Sequence, residues 1–217
     1  MCGRFTIATR REKVEKLIAG LKIAEWREPQ YDVRPTQDVP AILNHAPLEV
    51  SWIRWGLVPP WADDLKIGSR FINARAETLA EKPTFRKSLK SKRCAIVGDG
   101  FFEWQEQASS KKKKQMHFHL PQGDPFCFAG LWDVWRSPDG QELKTCTIIT
   151  TAARGVVSGI HDRMPVLLSP SHVETWLSPD PLSDEDRMVI LTGGLNDALV
   201  VDPWQASTTD LELPGFS

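Results

Sequence analysis

The sequence predicts one α+β domain with a mostly antiparallel sheet, and three observations carry that expectation. Eight short runs rich in β-branched and aromatic residues are separated by Gly, Pro, Asn and Ser clusters. Helical periodicity is confined to a few stretches near the two ends, so the pattern is not the alternating one of a parallel α/β sheet. A chain of 217 residues, 41% of them hydrophobic, is long enough to bury one sizeable core without disulfides.

Taken in order, Thr9-Arg-Arg-Glu12 reads as a capping box, with Val14, Leu17, Ile18 and Leu21 following at helical spacing. Strand-like runs are expected at Val39–Leu43, Leu48–Trp55, Phe71–Ala74 and Arg93–Val97, then at Phe101–Gln105, Met116–Leu120, Phe126–Val134 and Leu143–Thr151. Ser169-Pro170 opens a short helix by the Ser-cap, Pro-first rule. Ser183, followed by Asp184, Glu185 and Asp186, opens another, its acids favouring the helix N-terminus. Val200-Val-Asp-Pro-Trp204 reads as a closing strand, and Gln205 to Ser217 has no assignable element. No internal repeat or linker divides the chain, so residues 1–217 read as a single domain.

The formal charge of −1 hides a split. Residues 1–120 carry 22 Lys/Arg and 14 Asp/Glu, a balance of +8, whereas residues 121–217 carry 5 and 14, a balance of −9. Such asymmetry points to a polyanionic partner. The densest basic window runs from Lys82 to Arg93 without an acid, and Lys111 to Lys114 reads as a solvated hairpin tip behind Ser109-Ser110. Trp55 and Trp61, beside Arg54 on a Pro/Gly-rich loop, suit the stacking and phosphate contacts of single-stranded nucleic acid. No run approaches the roughly 18 apolar residues of a membrane span, and the N-terminus lacks an apolar leader. A cytoplasmic protein without a membrane partner is expected.

Cys2, Cys94, Cys127 and Cys146 show no close zinc or redox spacing. The last three sit in strand-like runs, where a reduced Cys acts as a small hydrophobe. His117 and His119 share a strand face, but no carboxylate or Cys partners them locally, so no metal is expected.

Cys2 is different. Removal of Met1 would leave an α-amine and a thiol on adjacent carbons, with reference pKa values of about 8 and about 8.5. A 1,2-aminothiol can condense with an aldehyde to an imine and close through sulfur to a thiazolidine, which no internal residue can do.

Met1-Cys-Gly-Arg-Phe5, Ile72-Asn-Ala-Arg75 with Glu77-Thr78, Phe102-Glu-Trp104, Thr150-Thr-Ala-Ala153 and Gly159-Ile-His-Asp-Arg-Met-Pro165 occur in that order. With the intervening Trp55-Gly-Leu-Val-Pro-Pro-Trp61, they resemble the SOS response-associated peptidase (SRAP) domain family of abasic-site processing proteins, most strongly over residues 2–177. The resemblance implies a bifurcated, mostly antiparallel sheet with a closed β-barrel core and flanking helices. It also implies recognition of abasic sites in single-stranded DNA, a covalent thiazolidine cross-link through Cys2, and AP lyase activity as a companion.

Carried over residue by residue, the resemblance makes Cys2 the nucleophile and Glu103 the acid/base carboxylate. It gives Asn73 the holding of the reacting sugar, and His161 ring opening and proton transfer. Arg4, Arg75 and Arg163 match phosphate contacts, and Trp104 matches a wall of the DNA groove; Trp61 and Thr151 join the DNA-binding set. No metal or cofactor is implied, and a monomer is expected, nucleoid-associated when bound to DNA. Independently of the family, Glu103 alternates with Phe102 and Trp104 and so points to the opposite sheet face, where apolar walls raise a carboxyl pKa. His161 can give or take a proton near neutral pH.

One departure falls at Tyr31-Asp-Val-Arg-Pro35, where the family often shows Tyr-Asn-Val-Ala-Pro. Asp32 replaces an amide with a charge, and Arg34 is a further candidate for phosphate. Two other readings use the same residues differently: an N-terminal-nucleophile peptidase or amidase, and a non-enzymatic single-stranded DNA-binding module.

Overall fold

The computed structural model describes residues 2–107 and 110–204. Thirteen strands and four α-helices run among the described residues in the order β1 (Phe5–Ile7), α1 (Arg11–Val14), β2 (Gln30–Val33), β3 (Asp38–Leu43), β4 (Val50–Trp55), β5 (Asn73–Arg75), α2 (Pro83–Ser91) and β6 (Arg93–Gly98). The chain continues through β7 (Gly100–Gln107), β8 (Ser110–His119), β9 (Phe126–Arg136), β10 (Glu142–Ala152), β11 (Arg163–Pro165), β12 (Leu167–Leu168), α3 (Pro170–Leu177), α4 (Asp184–Thr192) and β13 (Val200–Pro203).

The strand-forming runs close into a barrel. β10, β4, β3, β6 and β9 pair in a ring that returns to β10, and every pairing in it is antiparallel except β4 with β10. One edge of β10 takes β4 at Thr145–Cys146 and then β5 at Ile148–Thr150; its other edge takes β9 and then β11. A second, antiparallel sheet runs β13-β8-β7-β1-β2. The expected α+β fold with a closed barrel, a second sheet and flanking helices is what forms.

Period-two alternation explains why the barrel is filled and covered. Cys94 and Ile96 join one core cluster with Phe5, Trp55, Phe101, Phe128, Cys146 and Ile148. Their neighbours Ala95 and Val97 join the other, against Phe85 and Leu89 of α2 and Val173 and Trp176 of α3. β6 is therefore buried along its whole length. It leads into β7 through Gly98 and Gly100, where a Cβ would lie 2.8 Å from the Phe128 ring and 1.9 Å from His117 Nε2, so the strand crosses between the sheets only with glycine at both positions.

Several expectations are corrected. The Thr9 capping box does not form: α1 spans only Arg11–Val14, its N-cap is Arg10 without a side-chain bond, and the chain then tightens into i→i+3 turns. Val14, Ile18 and Leu21 are nevertheless buried, so the apolar spacing marks packing more than helix length. Lys111–Lys114 are not a hairpin tip but exposed residues within β8, paired with β7, and Lys113 reaches Glu106 at 3.0 Å. Arg93 is not part of a basic face: it is fully buried, and its guanidinium donates to the carbonyls of Leu89, Lys90, Trp176, Ser178 and Asp180 at 2.5–3.1 Å.

The two later helices begin where expected, and Ser183 caps α4 by accepting from the Asp186 N–H at 2.9 Å. Val200–Pro203 does form a strand, adding to the outer edge of β8. Met1 and Gln205–Ser217 lie outside the described residues. Among the described residues no helix is long and apolar enough to cross a membrane.

Candidate active site and nucleic-acid interface

The site forms where β1 enters between the two sheets. β1 pairs with β7 through Phe5↔Phe101, which sets Cys2 against the strand that carries Glu103. Cys2 is fully buried; its thiol donates to the Arg4 carbonyl at 4.0 Å, and its own carbonyl accepts from Asn73 Nδ2 at 2.8 Å. That bond orients the Asn73 amide, whose Oδ1 has no hydrogen-bond partner among the described residues. Asn73 is held by β5 pairing with Ile148 of β10.

His161 arrives from the opposite side, on the loop joining β10 to β11, which is closed by Ala153 N–H donating to the Asp162 carbonyl at 2.9 Å. Its Nε2 lies 3.8 Å from Glu103 Oε2. Its Nδ1 lies 2.9 Å from the Arg163 N–H and 2.8 Å from Asp162 Oδ1. The first contact needs an unprotonated Nδ1 and the second a protonated one, so which of the two forms depends on where the ring carries its proton. Cys2, Asn73, Glu103 and His161, far apart in sequence, therefore converge.

Electrostatics at this point follow from burial. Glu103 is 3% exposed, and desolvation pushes its carboxyl above the ordinary value despite the opposing pull of His161. The Cys2 thiol is pushed up well beyond its usual range, first by burial and then by the neighbouring Glu103 carboxylate. At neutral pH this thiol stays protonated, and an adjacent carboxylate is the wrong partner for making a thiolate.

Around this centre the expected nucleic-acid contacts divide. Phe102 and Trp104 do face away from Glu103, with the Arg4 guanidinium 5.9 and 5.4 Å from their ring centroids. Arg4 Nε also donates to Asp32 Oδ1 at 2.5 Å, and Arg34 reaches the other oxygen at 2.6 Å. Burial raises the Asp32 pKa, but the hydrogen bonds from Arg4 and Arg34 outweigh it and hold the carboxyl below its usual range. The departure at position 32 thus replaces an amide with a clamp on two arginines.

Arg163 forms a fork on Glu77, at 2.7 and 2.9 Å, and also donates to the Thr150 carbonyl at 2.8 Å. The Arg163 hydrogen bonds hold Glu77 below the usual carboxylate range. A phosphate at Arg163 would have to share that fork with Glu77. Arg75 is exposed at the end of β5, Thr151 is half-buried on β10 opposite Met164, and Trp61 is 63% exposed after β4. Trp55, by contrast, is core: it is fully buried and donates to the Ile72 carbonyl at 2.9 Å.

Glu77 and Asp162 are the neighbours of site residues that sequence reasoning missed, and Asp32 was noted without the arginine pair it holds. Glu77 stood inside the Asn73–Thr78 motif, and Asp162 beside His161, but only the fold reveals which cation each one holds. All four cysteines are free and buried. His117 and His119 stack at 5.1 Å, and the strand β13 brings Asp202 to His119 at 3.0 Å, a carboxylate that local sequence did not supply. Among the described residues no three His, Cys, Asp or Glu gather in a way that could hold a metal.

Fold and site together define a barrel-and-sheet protein whose second residue is poised beside a buried carboxylate. Residues 1–204 match the family model described as SOS response associated peptidase (SRAP), and the chain belongs to that family. It is 45% identical over 185 residues to the Abasic site processing protein YoqW of Bacillus subtilis (strain 168), covering 82% of this chain and 81% of that one. It is 29% identical over 234 residues to the Abasic site processing protein HMCES of Xenopus tropicalis, covering 88% and 70%. A crystal structure of a protein from Bacteroides thetaiotaomicron superposes with a TM-score of 0.83 at 26% identity, covering 94% and 92% of the two chains.

Proposed function

We propose that this protein processes abasic sites in single-stranded DNA by forming a thiazolidine cross-link through Cys2 once Met1 is removed, with AP lyase cleavage as a companion activity. The names of its relatives support the abasic-site reading. The single observation that carries the mechanism is that Cys2, bonded to Asn73 through its carbonyl, sits buried beside the Glu103–His161 pair, where burial first and the carboxylate second push the thiol up. A peptidase that attacks through sulfur needs the opposite environment, a cation or imidazole that lowers the thiol pKa. A carboxylate there instead suits an amine, from which it can remove a proton.

The steps balance on these groups. The sugar opens first: His161 protonates the departing ring oxygen while the C1′ hydroxyl gives its proton to Glu103, which passes it back to His161 3.8 Å away. The Cys2 α-amine then adds to the C1′ aldehyde. Glu103 takes a proton from the amine and returns it to the carbinolamine hydroxyl, which departs as water to give the imine. The Cys2 sulfur then adds to the imine carbon, and the thiol proton passes to nitrogen. Asn73, fixed through its bond to the Cys2 carbonyl, has an oxygen available to accept from a sugar hydroxyl. In the lyase branch the imine instead loses a C2′ proton and expels the 3′ phosphate.

The test is an oligonucleotide bearing one abasic site. Wild-type protein is expected to give a denaturation-resistant adduct whose intact mass is the sum of the two components less one water. Inserting Ala ahead of Cys2 keeps the thiol but removes the 1,2-aminothiol, and is expected to abolish the adduct. The same adduct mass from the insertion variant would refute the mechanism.

A further inference from the structure

The open face of the five-stranded sheet carries a cavity of about 440 Å³ that the chemistry above does not use. Its size is in the range of small-ligand sites. Aromatic side chains wall it: Trp204 packs against Phe102 at 4.9 Å and against His117 at 5.0 Å, and Tyr31 also lines it. Its floor is polar and already ordered. Asp99 Oδ1 accepts from the Thr6 hydroxyl at 2.5 Å, and Oδ2 accepts from the Ala8 N–H at 2.6 Å, so the buried carboxylate is satisfied. The Thr6 hydroxyl also lies 3.3 Å from His117 Nε2, a contact whose direction follows the imidazole tautomer. Arg10 and Lys13 stand at the rim, Lys13 paired with Asp124 at 2.8 Å.

This cavity is continuous with the interface already described. Trp104, Arg4, Phe102, His117 and Trp204 form one run of ring and guanidinium contacts that takes in β7, β8, the residue ahead of β1 and the residue after β13, no step longer than 5.9 Å. Flat π walls, hydrogen-bonding groups below and cations above match a nucleobase with its phosphate, not an aliphatic ligand. We propose that the cavity is a nucleotide subsite that takes an unstacked base of the DNA strand flanking the abasic site. The proposal rests on the DNA reading of the Cys2 site and names where the flanking strand runs.

The test uses the full-length protein, fluorescently labelled single-stranded oligonucleotides without an abasic site, and lengths from three to twelve nucleotides (on the order of one OB-fold site size). Wild-type affinity should rise with length, and Trp204→Ala should remove roughly 5- to 100-fold of that gain, the range for loss of one base–aromatic stack. Arg10→Ala, at an exposed position that does not threaten folding, should lower affinity for the longer strands and flatten their salt dependence. If both variants bind every length as wild type does, the subsite is overturned. Binding of the mononucleotide dAMP that Trp204→Ala abolishes, with no dependence on strand length, would overturn its assignment to the strand. These measurements are non-covalent, so a wild-type protein that forms no adduct would refute the cross-linking mechanism and leave this test readable.

Discussion

The barrel and the seam where β1 meets β7 bury polar groups in opposite ways. In the barrel, Cys94, Cys127 and Cys146 are as buried as Cys2, and desolvation alone or with neighbouring thiols and a distant carboxylate raises their pKa values, Cys127 to about 12. Among the described residues no carboxylate–imidazole pair stands beside them, so they act as small hydrophobes. At the seam the same desolvation acts on Cys2 and Glu103 together, with His161 at 3.8 Å. Burial is common to both regions, and only at the seam does it act on groups that can exchange protons. Under the proposed mechanism, reactivity comes from the neighbours, not from the depth.

The largest test of that contrast is Glu103→Gln. Under the proposed mechanism adduct formation should slow by about 100- to 10,000-fold, the usual range for a lost acid–base group. The sign with pH also follows. Burial raises the folded pKa of Glu103, so the carboxylate is present above that value and is lost as pH falls through it. Wild-type rates should therefore fall on an acid limb above the ordinary carboxylate value of about 4.3, and the variant should lack that limb. Single-turnover rates across pH check this; an unchanged acid limb in Glu103→Gln would assign it to another group.

Arg93→Met tests the barrel side. The arginine satisfies five carbonyls around the ends of α2 and α3, and methionine would leave the buried pair, those of Leu89 and Trp176, without it. Denaturant unfolding should show a loss of about 3–5 kcal/mol, while the adduct rate per folded molecule stays at the wild-type value. A rate defect without a stability defect would mean that the barrel wall also tunes the chemistry.

His117 offers a smaller, pH-dependent contrast on the outer face of the second sheet. Burial first, and the like charge of His119 second, depress its pKa to about 4, with Asp202 pulling the other way. The unfolded imidazole titrates near 6.5, so this contribution to stability is complete above that pH and is lost as pH falls toward 4. The ceiling is about 3 kcal/mol. His117→Gln should lose less stability than wild type between those limits; parallel pH profiles would show that the imidazole is accommodated in its charged form.

How much of this was legible in the sequence depends on the range of the forces involved. The strands of the barrel and the opposite facing of Glu103 and Trp104 follow from period-two alternation, a local property. Ser183 could be read as a cap because the Asp186 N–H it bonds lies three residues away. Thr9 looked equally good, yet the chain turns before its helix can lengthen. Arg93 could not be told from a surface arginine, since three of its five acceptors lie on Trp176, Ser178 and Asp180, more than eighty positions downstream. Convergence of the site residues was visible only through family resemblance, because strand pairing and loop closure, not spacing, bring them together.

Asp32→Asn gives the finest test, since it restores the amide common in the family without touching the reacting groups. Asp32 holds Arg4 and Arg34 through separate oxygens at 2.5 and 2.6 Å, so half of the local positive charge is cancelled before any DNA arrives. The pairs lie near the surface, and their loss should change folding stability by less than about 1 kcal/mol. Binding should respond more clearly. With the carboxylate gone, one further guanidinium becomes available to phosphate, and the slope of log affinity against log salt for a single strand should steepen by up to about 0.7. If affinity instead falls and the slope flattens, Asp32 is needed to aim Arg4 across Phe102 and Trp104. The seam would then depend on fixed geometry where charge alone had been credited.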